Sequence, residues 1–201
     1  MKHAYIFDFD GVLVTTMEAH FAAYGKALSE WGVPLDREQF YYQAGMTGRE
    51  QIRYFCEKAG KPDADVEAIY NRKTEIAPDF VHLIRPIRCN IDLLAVLKAA
   101  GHPAAIASGS SKPSIVPITE RFGIEVDTIV SSEDVSRGKP DPELFLTAAE
   151  RLGCEPAGCT VIEDAPVGLE AARAAGMQCM LFHPAARLSS LSDVSSSSLR
   201  R

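Results

Sequence analysis

Ala4-Tyr5-Ile6-Phe7-Asp8-Phe9-Asp10-Gly11-Val12-Leu13 decides the fold. Its first four residues are apolar and read as a buried strand, which then runs into two carboxylates and a glycine. Side chains alternate along an extended segment, so Asp8 and Asp10 face the same way. Two neighbouring carboxylates repel, and keeping both ionised is costly unless a cation lies beside them. Gly11 lets the chain turn sharply after the pair. An open α/β sheet places its chemistry beyond the carboxyl ends of its strands. Alone, an acidic pair at a strand end is more often a solvated loop, so the rest of the chain has to decide.

Outward from this strand, Met17, Phe21, Tyr24, Leu28 and Trp31 recur at intervals of three and four. That spacing predicts an amphipathic helix, stopped by Gly32 and Pro34. A second helix is expected from Thr47 or Gly48 to Ala59, and a third from about Ala64 to Ala77, ended by Pro78. Residues 15–84 therefore read as all-helical, with no convincing strand. Past Pro86 the pattern changes. Helices are expected at about Ile91–Ala100, after Pro113, at Glu143–Leu152 and at Pro166–Ala175. Between them lie short apolar strands at 102–107, 127–130, 160–162 and 179–182. Alternation of this kind predicts a Rossmann-like parallel sheet with helices on both faces. The expected fold is thus an α/β core, residues 1–14 and 85–201, carrying an inserted all-helical cap, residues 15–84. The serine-rich segment from Leu188 to Arg201 has too little apolar material to pack and is expected to be poorly ordered.

Composition narrows the function. The 201 residues are 46% hydrophobic and 24% charged, enough for a core of real size, and carry a formal net charge of −6. A basic footprint for nucleic acid is missing, so an anionic ligand must be held by local positive groups or a metal. No apolar run approaches the roughly 18 residues of a membrane span. The five cysteines (Cys56, Cys89, Cys154, Cys159 and Cys179) form no C-x-x-C and read as small core residues in a reducing compartment. With no signal-peptide pattern at the start, a cytoplasmic monomer is expected, with neither nucleic-acid nor membrane partners.

Each later strand is followed by a polar group of a particular kind. Ser108, in Ser108-Gly109-Ser110-Ser111, is either an anion-holding hydroxyl or a plain helix cap. Lys139, in Arg137-Gly138-Lys139-Pro140-Asp141-Pro142, is either a point charge aimed at a phosphate or a surface lysine. Glu163-Asp164, before Ala165-Pro166, is either a helix-start pair or a set of hard oxygen donors for Mg²⁺.

Taken together and in this order, Asp8-Phe9-Asp10-Gly11-Val12-Leu13, Ser108, Gly138-Lys139-Pro140-Asp141-Pro142 and Ile162-Glu163-Asp164-Ala165 resemble the four motifs of the haloacid dehalogenase superfamily. The helical insertion after the first motif is similar to that of the β-phosphoglucomutase and phosphoglycolate phosphatase-like members. The resemblance spans Lys2 to about Pro184. It implies that Asp8 is a nucleophile forming an aspartyl-phosphate and that Asp10 is the general acid/base. Ser108 and Lys139 would hold the transferring phosphoryl group, and Gly109 would bind the substrate. Asp8, the Asp10 backbone carbonyl, Glu163 and Asp164 would form the Mg²⁺ site. Retention of Asp10 with Glu163-Asp164 points to phosphate chemistry rather than to dehalogenation.

In the cap, His20, Thr47, Arg49 and Lys73 are the candidate substrate contacts, with Arg49 able to grip a second anionic group bidentately. His20 and Lys73 are equally readable as solvated helix-surface residues. Two departures from the resemblance stand out. Thr15 occupies a position usually held by aspartate, and Gly48 lengthens the cap loop toward the form seen in sugar phosphatases. The expected activity is a Mg²⁺-dependent phosphatase acting on a small phosphorylated metabolite, a sugar phosphate, with β-phosphoglucomutase as the alternative.

Overall fold

A computed structural model describes residues 3–42 and 48–182. Thr47 and the serine-rich segment lie outside the described residues. The chain divides into two compact units, one of Met1–Leu13 with Ile87–Arg201 and one of Val14–Pro86.

In chain order, the elements begin with β1 (Ala4–Phe7), β2 (Val14–Thr15), α1 (Met17–Glu30), α2 (Arg37–Tyr42), α3 (Gly48–Lys58) and α4 (Val66–Ile76). A 3-10 turn, Ala77–Leu83, leads to β3 (Arg85–Pro86) and α5 (Arg88–Ala99). There follow β4 (Ala104–Ala107), α6 (Lys112–Phe122), β5 (Thr128–Val130), α7 (Glu143–Leu152), β6 (Cys159–Glu163), α8 (Pro166–Ala174) and β7 (Gln178–Leu181).

The larger unit is built on a parallel five-stranded sheet of order β5-β4-β1-β6-β7. Its strands are short and nearly wholly apolar because both faces are covered. On one face Ala4, Ile6, Ala105, Ala107 and Val161 pack with Leu144, Phe145, Ala148 and Ala149 of α7 and with Ala171 and Ala172 of α8. Alternation turns the buried Phe7, Ile106 and Ile162 the other way. Right-handed crossovers put α5 and α6 on that second face, since β1, β4 and β5 follow one another outward in one direction and β6 and β7 in the other. The reversal falls between β1 and β6, which pair with Phe7 opposite Ile162. The carboxyl ends of those two strands therefore flank the crevice where a doubly wound sheet binds ligands. Asp8 continues the ladder, its N–H donating to the Ile162 carbonyl at 2.9 Å.

The smaller unit is helical around a core of Tyr24, Ala27, Leu28, Phe40, Ile52, Phe55 and Ile69. It departs from the sequence expectation in three ways. A two-stranded antiparallel ribbon, β2 with β3, pairs Val14 with Pro86 and Thr15 with Arg85. Helix α2 is additional, and the third predicted helix continues past Ile76 as the 3-10 turn, with Pro78 in its first turn where a missing N–H costs nothing. In the larger unit the strand expected from His102 begins at Ala104, since Pro103 has no N–H to give, although its carbonyl still accepts from Tyr5. Of the cysteines, Cys56 and Cys159 are buried as expected and Cys154 and Cys179 half-buried, but Cys89 is exposed on α5. No helix among the described residues is long and apolar enough to cross a membrane.

The loop leaving β5 leads to Lys139 and is anchored by Asp134. Asp134 Oδ2 accepts from the Ser131 N–H and Oγ, each at 2.8 Å, and Oδ1 accepts from Arg151 Nη2 at 2.5 Å. Arg151 Nη1 donates to the Ile129 carbonyl on β5 at 2.9 Å. The Arg151 bond, then those from Ser131, hold the Asp134 carboxyl well below the usual carboxylate range. A depressed native value stabilises the fold above the unfolded value of about 3.9 and is lost as pH falls toward the native one. Asp134→Ala should cost about 1–2 kcal/mol near neutrality. Urea midpoints followed downward from neutral pH should show the gap to the native chain closing only below about pH 4.

Candidate active site

The larger unit gathers its charged residues at the carboxyl ends of β1 and β6. Lys139 Nζ donates to Asp8 Oδ1 at 2.5 Å and to Glu163 Oε1 at 2.7 Å. All three side chains are nearly sealed, 11% exposed for Lys139, 8% for Asp8 and 2% for Glu163. A buried ammonium between two carboxylates survives because each charge is paired. Burial alone would lower the lysine's pKa, but Asp8 and Glu163 outweigh it and raise it, so the ammonium stays charged. Burial pushes the Asp8 carboxyl up, Lys139 opposes this without overcoming it, and Glu163 and Asp10 add to the rise.

Local sequence explains the aim of Lys139. Glu143, in the first turn of α7, accepts from the N–H groups of Ser136 at 2.8 Å and Arg137 at 3.0 Å. Asp141 Oδ1 accepts from the Glu143 N–H at 3.0 Å. The Gly138-Lys139-Pro140 segment is thus pinned on both sides.

Asp10 is half-buried, and its Oδ2 accepts two hydroxyls, from Ser110 Oγ at 2.7 Å and from Ser108 Oγ at 3.2 Å. Ser108 Oγ accepts in turn from the Ser110 N–H at 3.0 Å. Ser110 was not among the sequence candidates; its signal was only its place in a serine-rich turn after β4. Gly109 is exposed, with open space around it.

Of the expected metal set of Asp8, Asp10, Glu163 and Asp164, Glu163 has both carboxylate oxygens engaged. Its Oε1 faces Lys139, and its Oε2 accepts from the N–H groups of Asp164 and Ala165, each at 2.6 Å. Those three donors take most of the lone pairs of Glu163, which makes it less available to a metal. Among the described residues, no group of three or more His, Cys, Asp or Glu side chains is arranged to hold a metal ion. What remains is the Asp8 and Asp164 carboxylates with the Asp10 carbonyl. Gly11, at φ 93°, brings the turn so close to Asp164 that a Cβ there would overlap its carboxylate. Two carboxylates and a carbonyl are hard oxygen donors that fit Mg²⁺, which is commonly held by one or two carboxylates with water and substrate phosphate. The buried carboxylates of Asp8, Glu163 and Asp164 outnumber the buried ammonium of Lys139, an excess of negative charge that favours a cation.

In the helical unit, Arg49 is already engaged. Its Nε and Nη2 donate to Glu67 Oε1 and Oε2 at 2.6 and 3.0 Å, and its guanidinium lies 4.0 Å from the Tyr70 ring centroid. Lys73 Nζ sits 4.9 Å from the Tyr24 ring centroid. His20 is half-buried on α1, its N–H donating to the Thr16 carbonyl at 2.9 Å.

Residues 5–182 match the family model described as haloacid dehalogenase-like hydrolase. The chain is 31% identical to hexitol phosphatase A of Escherichia coli (strain K12), covering 94% of this chain and 87% of that protein. It is 32% identical to a β-phosphoglucomutase of Bacillus subtilis (strain 168), covering 87% and 80%. The fold is similar to the crystal structure of CbbY from Rhodobacter sphaeroides in complex with phosphate, with a TM-score of 0.78 and 28% identity over 92% of this chain and 87% of that one.

Two glycines test the geometry. A Cβ at Gly168, on α8, would overlap Glu163 Oε1 and the rest of its carboxylate. Gly168→Ala should therefore displace Glu163 from Lys139 and cost about 1–3 kcal/mol of stability, the usual cost of overpacking. Gly109→Ala should stay within about 0.5 kcal/mol. Denaturant titration of the two variants checks both.

Proposed function

Since the chain belongs to the haloacid dehalogenase-like hydrolases, we propose that it is a phosphoric monoester hydrolase acting on a small sugar phosphate, with Mg²⁺, through an aspartyl-phosphate on Asp8. The observation that carries this reading is the buried Asp8–Lys139 contact at the end of β1, with Asp10 two residues on and held by two serine hydroxyls.

Asp8 attacks phosphorus through a carboxylate oxygen, and the bond from phosphorus to the ester oxygen breaks. Asp10 gives its proton to that departing oxygen, which leaves as the alcohol. Asp10, now ionised, takes a proton from water as the water attacks the aspartyl-phosphate. Inorganic phosphate leaves and the Asp8 carboxylate is restored. Lys139 offsets charge on the phosphoryl oxygens, and the Ser108 hydroxyl is placed to donate to one of them. Asp8, Asp164 and the Asp10 carbonyl would hold Mg²⁺, which supplies further neutralisation of that charge when bound. Glu163 keeps Lys139 charged and aimed. In this reading the Val14–Pro86 unit is the cap that selects the substrate, with His20, Thr47, Arg49 and Lys73 as its contacts. Arg49 would exchange Glu67 for a substrate anion.

Asp8→Asn should lower turnover of p-nitrophenyl phosphate by about three orders of magnitude or more while the chain stays folded by circular dichroism, since Lys139 keeps Glu163 as a partner. Undiminished turnover rules out Asp8 as the nucleophile. Chelation should remove activity in the native chain, and added Mg²⁺ should restore it.

A second reading, β-phosphoglucomutase, is favoured by the similarity to the B. subtilis protein of that name. In it the sugar hydroxyl, not water, meets the aspartyl-phosphate. Phosphorus NMR with Mg²⁺, β-glucose 1-phosphate and a trace of glucose 1,6-bisphosphate separates the two. Hydrolysis accumulates inorganic phosphate; isomerisation accumulates glucose 6-phosphate with little free phosphate.

A further inference from the structure

The two hydroxyls on Asp10 are not equivalent. Ser108 Oγ is 3.2 Å from Asp10 Oδ2 and has one proton to give. If that proton serves a phosphoryl oxygen, it cannot also serve Asp10. Ser110 Oγ is nearer, at 2.7 Å, and remains as a donor to the same oxygen. The backbone around Ser110 is fixed independently of its hydroxyl. Its N–H donates to Ser108 Oγ at 3.0 Å, and its carbonyl accepts from the Ser132 N–H at 3.1 Å. The turn after β4 is thereby tied to the turn after β5, so the hydroxyl is presented from a rigid frame.

We propose that Ser110 is a positioning residue for Asp10, holding its Oδ2 through the interval in which the Ser108 hydroxyl turns to the phosphoryl group. This rests on the reading of Asp10 as the general acid and base. Ser110 touches no reacting atom in this role. It fixes the carboxyl so that its proton reaches the departing oxygen, and so that the ionised form next faces the attacking water. A general acid that samples several rotamers loses part of the about 10²–10⁴-fold that positioned proton transfer contributes. The loss should show most where the leaving oxygen most needs a proton.

The test uses the full chain with Mg²⁺ and two substrates of nearly equal shape, phenyl phosphate and p-nitrophenyl phosphate. p-Nitrophenolate leaves readily without protonation, and phenolate does not. Rapid-quench measurement of the first turnover isolates the step in which Asp10 acts as acid. Ser110→Ala removes one oxygen and leaves both backbone bonds in place. It should slow phenol release about 10-fold and p-nitrophenol release less than about 3-fold, with KM unchanged. Ser110→Thr, which keeps the hydroxyl, should restore phenol release. Equal losses on both substrates, a change in KM alone, or failure of the threonine variant to rescue would each overturn the proposal. Asp10→Asn, run alongside, separates the two levels. If it shows the selective loss on phenyl phosphate and Ser110→Ala does not, the role of Ser110 falls and that of Asp10 stands. If Asp10→Asn affects both substrates equally, the acid role of Asp10 and the positioning role of Ser110 fall together.

Discussion

The larger unit depends on one buried ammonium. Lys139 comes from the loop after β5, yet its Nζ lies between a carboxylate at the end of β1 and another at the end of β6. Burying three charges is expensive, and a buried pair stripped of one partner is destabilising by more than the pair itself contributes. Lys139 neutralises Asp8 and Glu163 together. Everything around the lysine therefore works to keep it in place. Glu143 and Asp141 fix the backbone on either side, and the Phe145 ring lies 5.0 Å from Nζ. Asp134 and Arg151 tie the start of the same loop to β5.

This constraint divides the work of the second acidic pair. Adjacent carboxylates at a strand end point to different places, and here they have different partners. Glu163 turns inward, to Lys139 and to the amides at the start of α8. Because it occupies the space beside α8, the helix must carry a glycine at 168, since any side chain there would meet the carboxylate. Asp164 lies instead against the turn at Gly11. One residue thus serves the lysine, and the other, against the Gly11 turn, is the one we propose as a cation ligand.

The parts legible in the sequence are those carried by period and order. Short apolar strands alternating with helices define the sheet, and the polar residues that follow each strand fall at its carboxyl edge because a parallel sheet puts all those ends on one side. Asp8, Asp10, Ser108 and Lys139 come together for that reason. What escaped was either too short or too distant to leave a pattern. The β2–β3 ribbon has two residues per strand, pairs segments about 70 positions apart and has no periodicity to read. Glu163 looks like a metal ligand by residue type. Only the folded chain shows one of its oxygens on Lys139 and the other on the amides of Asp164 and Ala165. Ser110 sits among two other serines, and nothing in Ser108-Gly109-Ser110-Ser111 distinguishes the hydroxyls that meet Asp10 from the one that does not.

Arg49 shows how a partner unseen in sequence changes a role without removing it. Glu67 lies on α4, 18 positions away, and holds both arms of the guanidinium, while Tyr70 supports its face. Both members of this pair are about half exposed, and exposed ion pairs contribute little because water competes well for each charge. The stacking on Tyr70 does not depend on the carboxylate. Glu67 therefore holds the planar fork in one orientation, at small cost to its release. A bidentate anion that matched the same fork would replace one carboxylate with another group of like geometry. An isolated arginine would have to be ordered as the ligand arrived, at the cost of side-chain entropy. In the role proposed for Arg49 that ordering would already be complete, and exchange would be limited by the strength of the incoming anion relative to Glu67.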